Sequence, residues 1–258
     1  MIRRQPKVLI LTPVKDAAKF ASGYLANLRS LTYPKEWLSL GVLESDSADG
    51  SEAAYRMVVQ RAAGEFRRAS FLKRDFGLNL PAGVPRWERS LQAARRATLA
   101  RSRNHLLFHA LRDEDWVLWL DADVVEYPED MIERLLSFDK PIIQPNCVLD
   151  YGGRSFDRNA WRDQGRLSFD ELRGESEVVR LDAVGGTVLL IKADLHRDGL
   201  VFPPFFYGDR NSRARLKKEF IETESFGEIE TEGLAIMASD MGVDCFGLPG
   251  LEVRHHKG

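Results

Sequence analysis

The first half of the chain alternates short apolar runs with stretches of helical period. Val8 to Leu11 is continuously apolar, and Phe20, Tyr24, Leu28 and Leu31 follow at a spacing close to that of one helix face, which predicts strand then helix. Leu38 to Leu43 repeats the strand signal. Ser47-Ala48-Asp49-Gly50-Ser51-Glu52 then supplies turn and N-cap chemistry before a second amphipathic helix through Tyr55, Val58, Val59 and Ala62. A third strand is expected from Phe66 to Leu72, and a long Ala-, Leu- and Arg-rich helix from about Trp87 to Leu111. That helix delivers the chain to Trp116-Val117-Leu118-Trp119-Leu120, a buried strand ended by two acids in Asp121-Ala122-Asp123. Such alternation implies a mainly parallel sheet with right-handed crossovers and ligands at the carboxyl ends of its strands.

The second half is less regular. A short helix from Pro128 to Phe138 and a strand from Pro141 to Gln144 lead into a polar, Gly- and Arg-rich stretch from Asp150 to Glu177, which fits either a cover over a site or a plain surface excursion. Val178 to Leu181 and Gly186 to Ile191 read as strands. The intervening Gly185-Gly186 would let a ligand approach the protein backbone closely, although a bulge or turn is the more frequent cause. Ile221-Glu222-Thr223-Glu224 recurs as Ile229-Glu230-Thr231-Glu232, a spacing too short for a repeat architecture, and Gly233 to Ala238 follows as a helix start. Leu251 to Arg254 is strand-like and is followed by His255 and His256.

Composition bounds the answer. A chain of 258 residues, 44% hydrophobic and 29% charged, suits one α/β domain over 1–258. With 37 basic and 39 acidic side chains the net charge is −2, so no global field favours nucleic acid or an anionic membrane. No apolar run approaches the roughly 18 residues of a membrane span, and the first strand begins almost at once, so a cytoplasmic location is expected; a protein whose membrane anchor had been removed would look the same. Cys147 and Cys245 lack metal-ligand spacing and are expected as free buried thiols.

Several polar groups stand where strands end. Asp123 would reach a divalent cation while Asp121 contacts the cation or a ribose hydroxyl; a helix cap for the next element is the plain alternative. Thr12-Pro13-Val14-Lys15-Asp16 and Glu44-Ser45-Asp46-Ser47 occupy equivalent places after the first two strands, where Thr12, Pro13, Asp16 and Asp46 would hold a base or ribose. Each alone is more often a turn. Arg101 and Arg103 lie about 200° apart around the long helix, so both cannot face one ligand, and position alone does not choose between them. One C-terminal histidine, His255 or His256, would complete the coordination that Asp123 begins, and a solvated pair of terminal histidines is the alternative. Glu230 and Glu232 would act as a base or stabilise positive charge if they lie near a sugar carbon, and simple helix capping also explains them. Gly-x-Gly-x-x-Gly, the Walker loop, His-Glu-x-x-His and Gly-x-Ser-x-Gly are all missing, which argues against dehydrogenase, NTPase, zincin and serine hydrolase.

Taken together the motifs resemble the fungal Anp1/Mnn9/Van1 α-mannosyltransferase family. The likeness is carried by Leu11-Thr12-Pro13-Val14-Lys15-Asp16-Ala17, Leu31-Thr32-Tyr33-Pro34, Asp46-Ser47, Arg103-Asn104 and the run from Trp119 to Pro128. It continues in Gly185-Gly186-Thr187, Lys192-Ala193-Asp194, His196-Arg197-Asp198-Gly199, Phe202-Pro203-Pro204 and Glu230-Thr231-Glu232-Gly233. The resemblance implies a GT-A fold with a Rossmann-like sheet, a nucleotide-binding half at 1–125 and an acceptor-binding half at 126–258, and a retaining, metal-dependent transfer of mannose from GDP-mannose to a hydroxyl of a glycan or glycosylated acceptor. Mn²⁺ (or Mg²⁺) would sit at Asp123 and His255, with Asp121 and Asp123 as the DxD pair. Arg103, rather than Arg101, joins the nucleotide site. Glu230 and Glu232 are its further catalytic candidates, and Gly185 and Gly186 line the acceptor side. Relatives in the family are Golgi proteins with an N-terminal anchor not found in this sequence, and Gly208 to Glu228 stands as an insertion, so the resemblance fits a prokaryotic relative acting in the cytoplasm on another acceptor, with the Golgi lumen as the alternative if an anchor was removed. A homo-oligomer is compatible with this reading. Its rivals are a sugar nucleotidyltransferase or phosphatase with a strand-end acidic metal site, and a catalytically silent partner of a glycosyltransferase complex.

Overall fold

A computed structural model describes residues 5–78, 88–215 and 226–257. In chain order the elements are β1 (Val8–Val14), α1 (Ala21–Ser30), β2 (Leu38–Glu44), α2 (Ser51–Ala62), β3 (Arg68–Lys73), α3 (Arg89–Ala110), β4 (Trp116–Leu120), β5 (Val124–Glu126) and α4 (Met131–Ser137). The second half adds β6 (Ile142–Val148), β7 (Trp161–Arg162), β8 (Leu167–Ser168), β9 (Val179–Leu181), β10 (Val188–Lys192), α5 (Ala193–Arg197), α6 (Glu230–Asp240) and β11 (Cys245–His255).

Nine strands form one sheet in the order β3-β2-β1-β4-β10-β6-β11-β5, with β9 also paired to β11. The first four are mutually parallel and β6 and β11 share their direction, whereas β5, β9 and β10 run against it. The central strands are apolar on both faces because helices cover both faces. In β1 and β4 alternate residues divide the core: Val8, Ile10, Trp116, Leu118 and Leu120 pack with α1, α2 and α4, while Leu9, Leu11, Val117 and Trp119 pack with α3, α5 and α6. Each such fully buried aliphatic side chain contributes roughly 1.5–3 kcal/mol, so this two-sided alternation is the main force fixing strand order.

Three polypeptide edges meet at one place. β1 pairs with β4 from Val8 against Trp116 to Leu11 against Trp119, so the loop after Leu120 lies beside Pro13 and Val14. The antiparallel β10 pairs Val188 with Leu120, which puts its entry, Gly185-Gly186-Thr187, at that same edge, and the Asp121 amide donates to the Thr187 carbonyl (2.9 Å). β11 closes the group from the other side: His255 pairs with Val124, and the His256 amide donates to the Asp123 carbonyl (2.9 Å).

The expected strand and helix order is present, with informative differences. β6 runs on through Pro145 to Val148 rather than ending at Gln144, and β10 begins at Val188, after the two glycines. β11 is far longer than Leu251 to Arg254; a register shift between Leu248 and Glu252, around Pro249-Gly250, interrupts its hydrophobic pattern. Cys147 and Cys245 are free and buried, as expected. The Asp150 to Glu177 stretch is an irregular cover holding the small β7-β8 hairpin. Trp87, the first member of the echo at Ile221 to Glu224 and much of the insertion from Gly208 to Glu228 lie outside the described residues.

Thr12 belongs to this scaffold. It is fully buried, its hydroxyl donates to the Leu120 carbonyl (2.7 Å) and accepts from the Tyr24 phenol (2.6 Å), and so it ties β1 and α1 to the end of β4. Thr12→Val keeps the shape but strands the buried Tyr24 hydroxyl. Urea unfolding is expected to show a loss of about 1–3 kcal/mol with an unchanged slope, and a loss below about 0.5 kcal/mol would contradict the tie.

Candidate active site

At the meeting edge is a cavity of about 600 Å³. Its walls come from one face of α3 (Arg89, Gln92, Arg96, Leu99 and Arg103), from Asp121 and Asp123 after β4, from Gly186 and Thr187 before β10, and from Glu230 and His255. The α3 positions recur every three or four residues, so a single helix face supplies them. Arg101 is off that face, exposed, and bonds only the backbone of its own helix through Ala97.

Asp123 and His255 face each other, with Nε2 3.2 Å from Oδ1. The His255 Nδ1–H donates to the His256 carbonyl (2.7 Å), which leaves the Nε2 lone pair of the neutral ring directed toward Asp123. Phe156 stacks on the imidazole at 3.9 Å between centroids and fixes its plane. Burial by itself would lower the His255 pKa, but the hydrogen bond and charge of Asp123 outweigh it and the net direction is upward. His256 instead packs edge-on against Phe20.

Asp121 sits beside Arg103, whose Nη2 is 3.2 Å from Oδ1. Burial pushes the Asp121 carboxyl up to about 7, against the pull of Arg103 and with Asp123 and Asp157 adding to the rise. Three crowded carboxylates around one cavity repel each other, and a divalent cation relieves that repulsion. The donor set fits such an ion: carboxylate oxygen from Asp123 and an oriented imidazole nitrogen from His255. Among the described residues no group of three or more His, Cys, Asp or Glu could hold a metal, so further ligands would have to come from water or from the bound substrate.

Behind these residues lies a lattice of buried charges. Arg103 is 1% exposed, lies over both the Trp119 and Phe202 rings at 5.3 and 5.4 Å, donates to the Gly186 carbonyl (3.2 Å) and places Nε 3.1 Å from Glu230. Arg96 joins Glu232 at 2.6 Å and lies 3.7 Å from Glu230. Glu232 also pairs with Arg215 (2.8 Å) and accepts from the Trp161 indole (2.9 Å). Both of its oxygens are therefore engaged, and it is not part of the cavity wall. Glu230 does reach the wall, at a backbone φ of +61° that few non-glycine residues adopt.

The other residues singled out in the sequence take these places. Pro13 and Asp46 line a separate recess of about 100 Å³ with Arg95, Thr98, Leu99 and Ser102; Arg95 and Leu99 also border the larger cavity. The Asp46 carboxylate accepts from the amides of Phe76 and Gly77, so it shapes the recess through the chain it holds. Asp16 accepts from the Ala48 amide (2.8 Å) and fastens one strand-end loop to the next. Thr12 faces the interior. Gly185 and Gly186 are required by the protein itself: a Cβ on Gly185 would lie 1.9 Å from Asp157, and one on Gly186 2.6 Å from Arg103. Sequence reasoning missed Arg96, Asp157, Thr187 and Phe156. The Arg96-Arg103 pair, seven residues apart on a helical stripe, was a usable signal, whereas Asp157 lies in irregular chain with no period to mark it.

A family model described as Anp1 matches residues 1–169 and 167–206. The mannan polymerase complex subunit mnn9 of Schizosaccharomyces pombe is 32% identical over 99% of this chain and 81% of its own length. The corresponding MNN9 subunit of Candida albicans is 30% identical over 99% of this chain and 76% of its own. Among solved structures, the Pyrobaculum calidifontis mannosyltransferase PcManGT, in complex with GDP-Man and Mn²⁺, aligns with a TM-score of 0.61 at 16% identity. That alignment covers 99% of this chain and 58% of that one, which shows a shared fold.

Glu232→Gln tests the lattice. Removing one charge from a buried group of this kind should lower stability by about 3–5 kcal/mol at neutral pH. Burial alone would raise the Glu232 pKa, but Arg96 and Arg215 outweigh it and hold it below its ordinary value. The wild-type advantage is thus present above the unfolded-state pKa and is lost as pH falls through the lower folded value. Unfolding free energies of the two proteins should converge in acid; a constant gap would contradict the assignment.

Proposed function

The chain belongs to the Anp1 family and is a glycosyltransferase of GT-A fold, and on that premise we propose that it transfers mannose from GDP-mannose, with retention and with Mn²⁺ or Mg²⁺, to a hydroxyl of a glycan or glycosylated acceptor. The observation that carries this reading is the Asp123-His255 pair, 3.2 Å apart in the wall of a cavity of about 600 Å³ that the arginine-bearing face of α3 also lines. Family and fold together set aside the phosphatase rival.

In this reading the nucleoside enters the recess beside Pro13. There the buried Ser102 hydroxyl, which has no protein partner, offers a hydrogen bond to the base. Arg103 keeps Asp121 in place and presents Nη1, buried and without a protein partner, as a donor to the diphosphate. A bound divalent cation, held by Asp123 and His255, would supply charge neutralisation for the departing diphosphate. Glu230 and Glu232 are poor nucleophiles because arginines neutralise both, so retention is best served by attack on the leaving-group face without a covalent enzyme intermediate.

The chain matches nearly its full length to subunits of mannan polymerase complexes in other organisms, so a protein partner is part of the proposal. Among the described residues no helix is long and apolar enough to cross a membrane.

Isothermal titration of GDP, UDP and their mannose and glucose derivatives, with and without Mn²⁺, tests the donor site. Manganese-dependent GDP binding is expected in the wild type and a loss of at least about 100-fold in Asp123→Ala, with transfer from GDP-mannose abolished. Equal or tighter UDP binding would overturn the donor, and normal turnover by the variant would overturn the site.

A further inference from the structure

A second cavity, of about 380 Å³, adjoins the first, and the two share Asp157 and Arg158 as a common wall. Its remaining lining is Arg154, Ser155, Ser168, Phe169, Asp170 and Glu171, all from the irregular cover between β6 and β9. At about 30 Å³ per water it has room for a ligand that displaces roughly a dozen waters.

The cover is pinned at this point. Ser155 bonds Asn146 in β6 through its hydroxyl (2.8 Å) and Asp170 through its amide (2.9 Å), and Arg173 pairs with Glu252 in β11 (3.0 Å). The cavity is therefore preformed by contacts to the central sheet.

Its chemistry selects a ligand class. Arg154 and Arg158 line the same cavity as Asp170 and Glu171, so both a net anion and a net cation meet groups of their own sign there. The Ser155 and Ser168 hydroxyls donate to Asp170 Oδ1 and Glu171 Oε2, which leaves Asp170 Oδ2 and Glu171 Oε1 as acceptors in the same lining as the Arg154 and Arg158 guanidinium donors, the combination that the hydroxyls of a neutral sugar require.

Asp157 is the hinge between the two spaces. Its carboxylate is oriented by the Thr187 hydroxyl (3.1 Å), the Thr187 amide (3.3 Å) and the Asn159 amide (3.2 Å), and Gly185 leaves it room by lacking a Cβ. Thr187 in turn accepts the amide of Asp121, so Asp157 is held in register with the metal-site strand end.

Resting on the donor reading above, we propose that the second cavity is the acceptor subsite, that it takes the end of a neutral, hydroxyl-rich glycan, and that Asp157 accepts a hydrogen bond from the acceptor hydroxyl where the two cavities meet. In the transfer the acceptor oxygen bonds to the anomeric carbon as the bond to the diphosphate oxygen breaks. The bonding pair leaves with the diphosphate, and the hydroxyl proton passes to it; Asp157 orients the hydroxyl.

The test separates this inference from the donor reading. Short mannose, glucose and galactose oligosaccharides are titrated by NMR into the wild type and into an Arg154→Ala, Glu171→Gln double variant, both changes being at exposed positions. At least one oligosaccharide should bind the wild type and be weakened by about tenfold or more in the double variant, while GDP-mannose affinity in Mn²⁺ stays within about twofold. Asp157→Asn should lower kcat for transfer by about 100-fold, with oligosaccharide affinity and melting temperature changed far less. Oligosaccharide affinity unchanged in the double variant, or no binding to the wild type, overturns the subsite. Oligosaccharide binding that depends on these residues in a protein that ignores GDP-mannose would keep the subsite and overturn the donor instead.

Discussion

The buried charges between α3 and α6 govern the architecture of this site. Arg96, Arg103 and Arg215 meet Asp121, Glu230 and Glu232, three cations against three carboxylates, with the two glutamates buried and Asp121 partly open to the cavity. Unpaired, any of these groups would be several kcal/mol out of place, so the lattice tolerates little displacement of either helix. Its members come from four distant stretches of chain, and Trp161 adds the irregular cover as a fifth anchor through its indole donor. The positive φ of Glu230 is the local strain this arrangement imposes, of order 1–3 kcal/mol and sustained by the pairing around it.

The sheet decides what that lattice supports. Four parallel strands alone would present loops of β1, β2 and β4 at a common edge, the usual location for a nucleotide. The reversed strand β10 brings Gly185, Gly186 and Thr187 to that edge from its starting end, and the bulged β11 brings His255 from the far side. Mixed strand direction is thus what surrounds the Asp121-Ala122-Asp123 turn with polar groups on several sides.

Close approach is the theme of the two glycines. The carboxylate of Asp157 and the guanidinium of Arg103 occupy the volume that side chains at Gly185 and Gly186 would take. Small residues here make room for protein groups that in turn face the cavities, and Gly186 also lines the larger cavity itself. Such a division, with charged side chains seated on bare backbone, lets one short segment serve both the donor edge and the cover.

Much of this was legible in the amino-acid sequence. Strands buried on both faces leave unbroken apolar runs, so β1, β2 and β4 and the acids that end β4 were visible without coordinates, and the ordered motifs from Thr12-Pro13 to Glu230-Thr231-Glu232 marked the family. Only the tertiary structure could distinguish inward from outward roles. Thr12 and Glu232 carry the same signal as residues that face the cavity, yet one is consumed by Leu120 and Tyr24 and the other by two arginines and an indole. Asp157 carries no local signal at all, because its place depends on an irregular segment folding back over β10. Periodicity reports which face of an element meets the core; the direction in which a polar group at a strand end points is settled by partners far away in sequence.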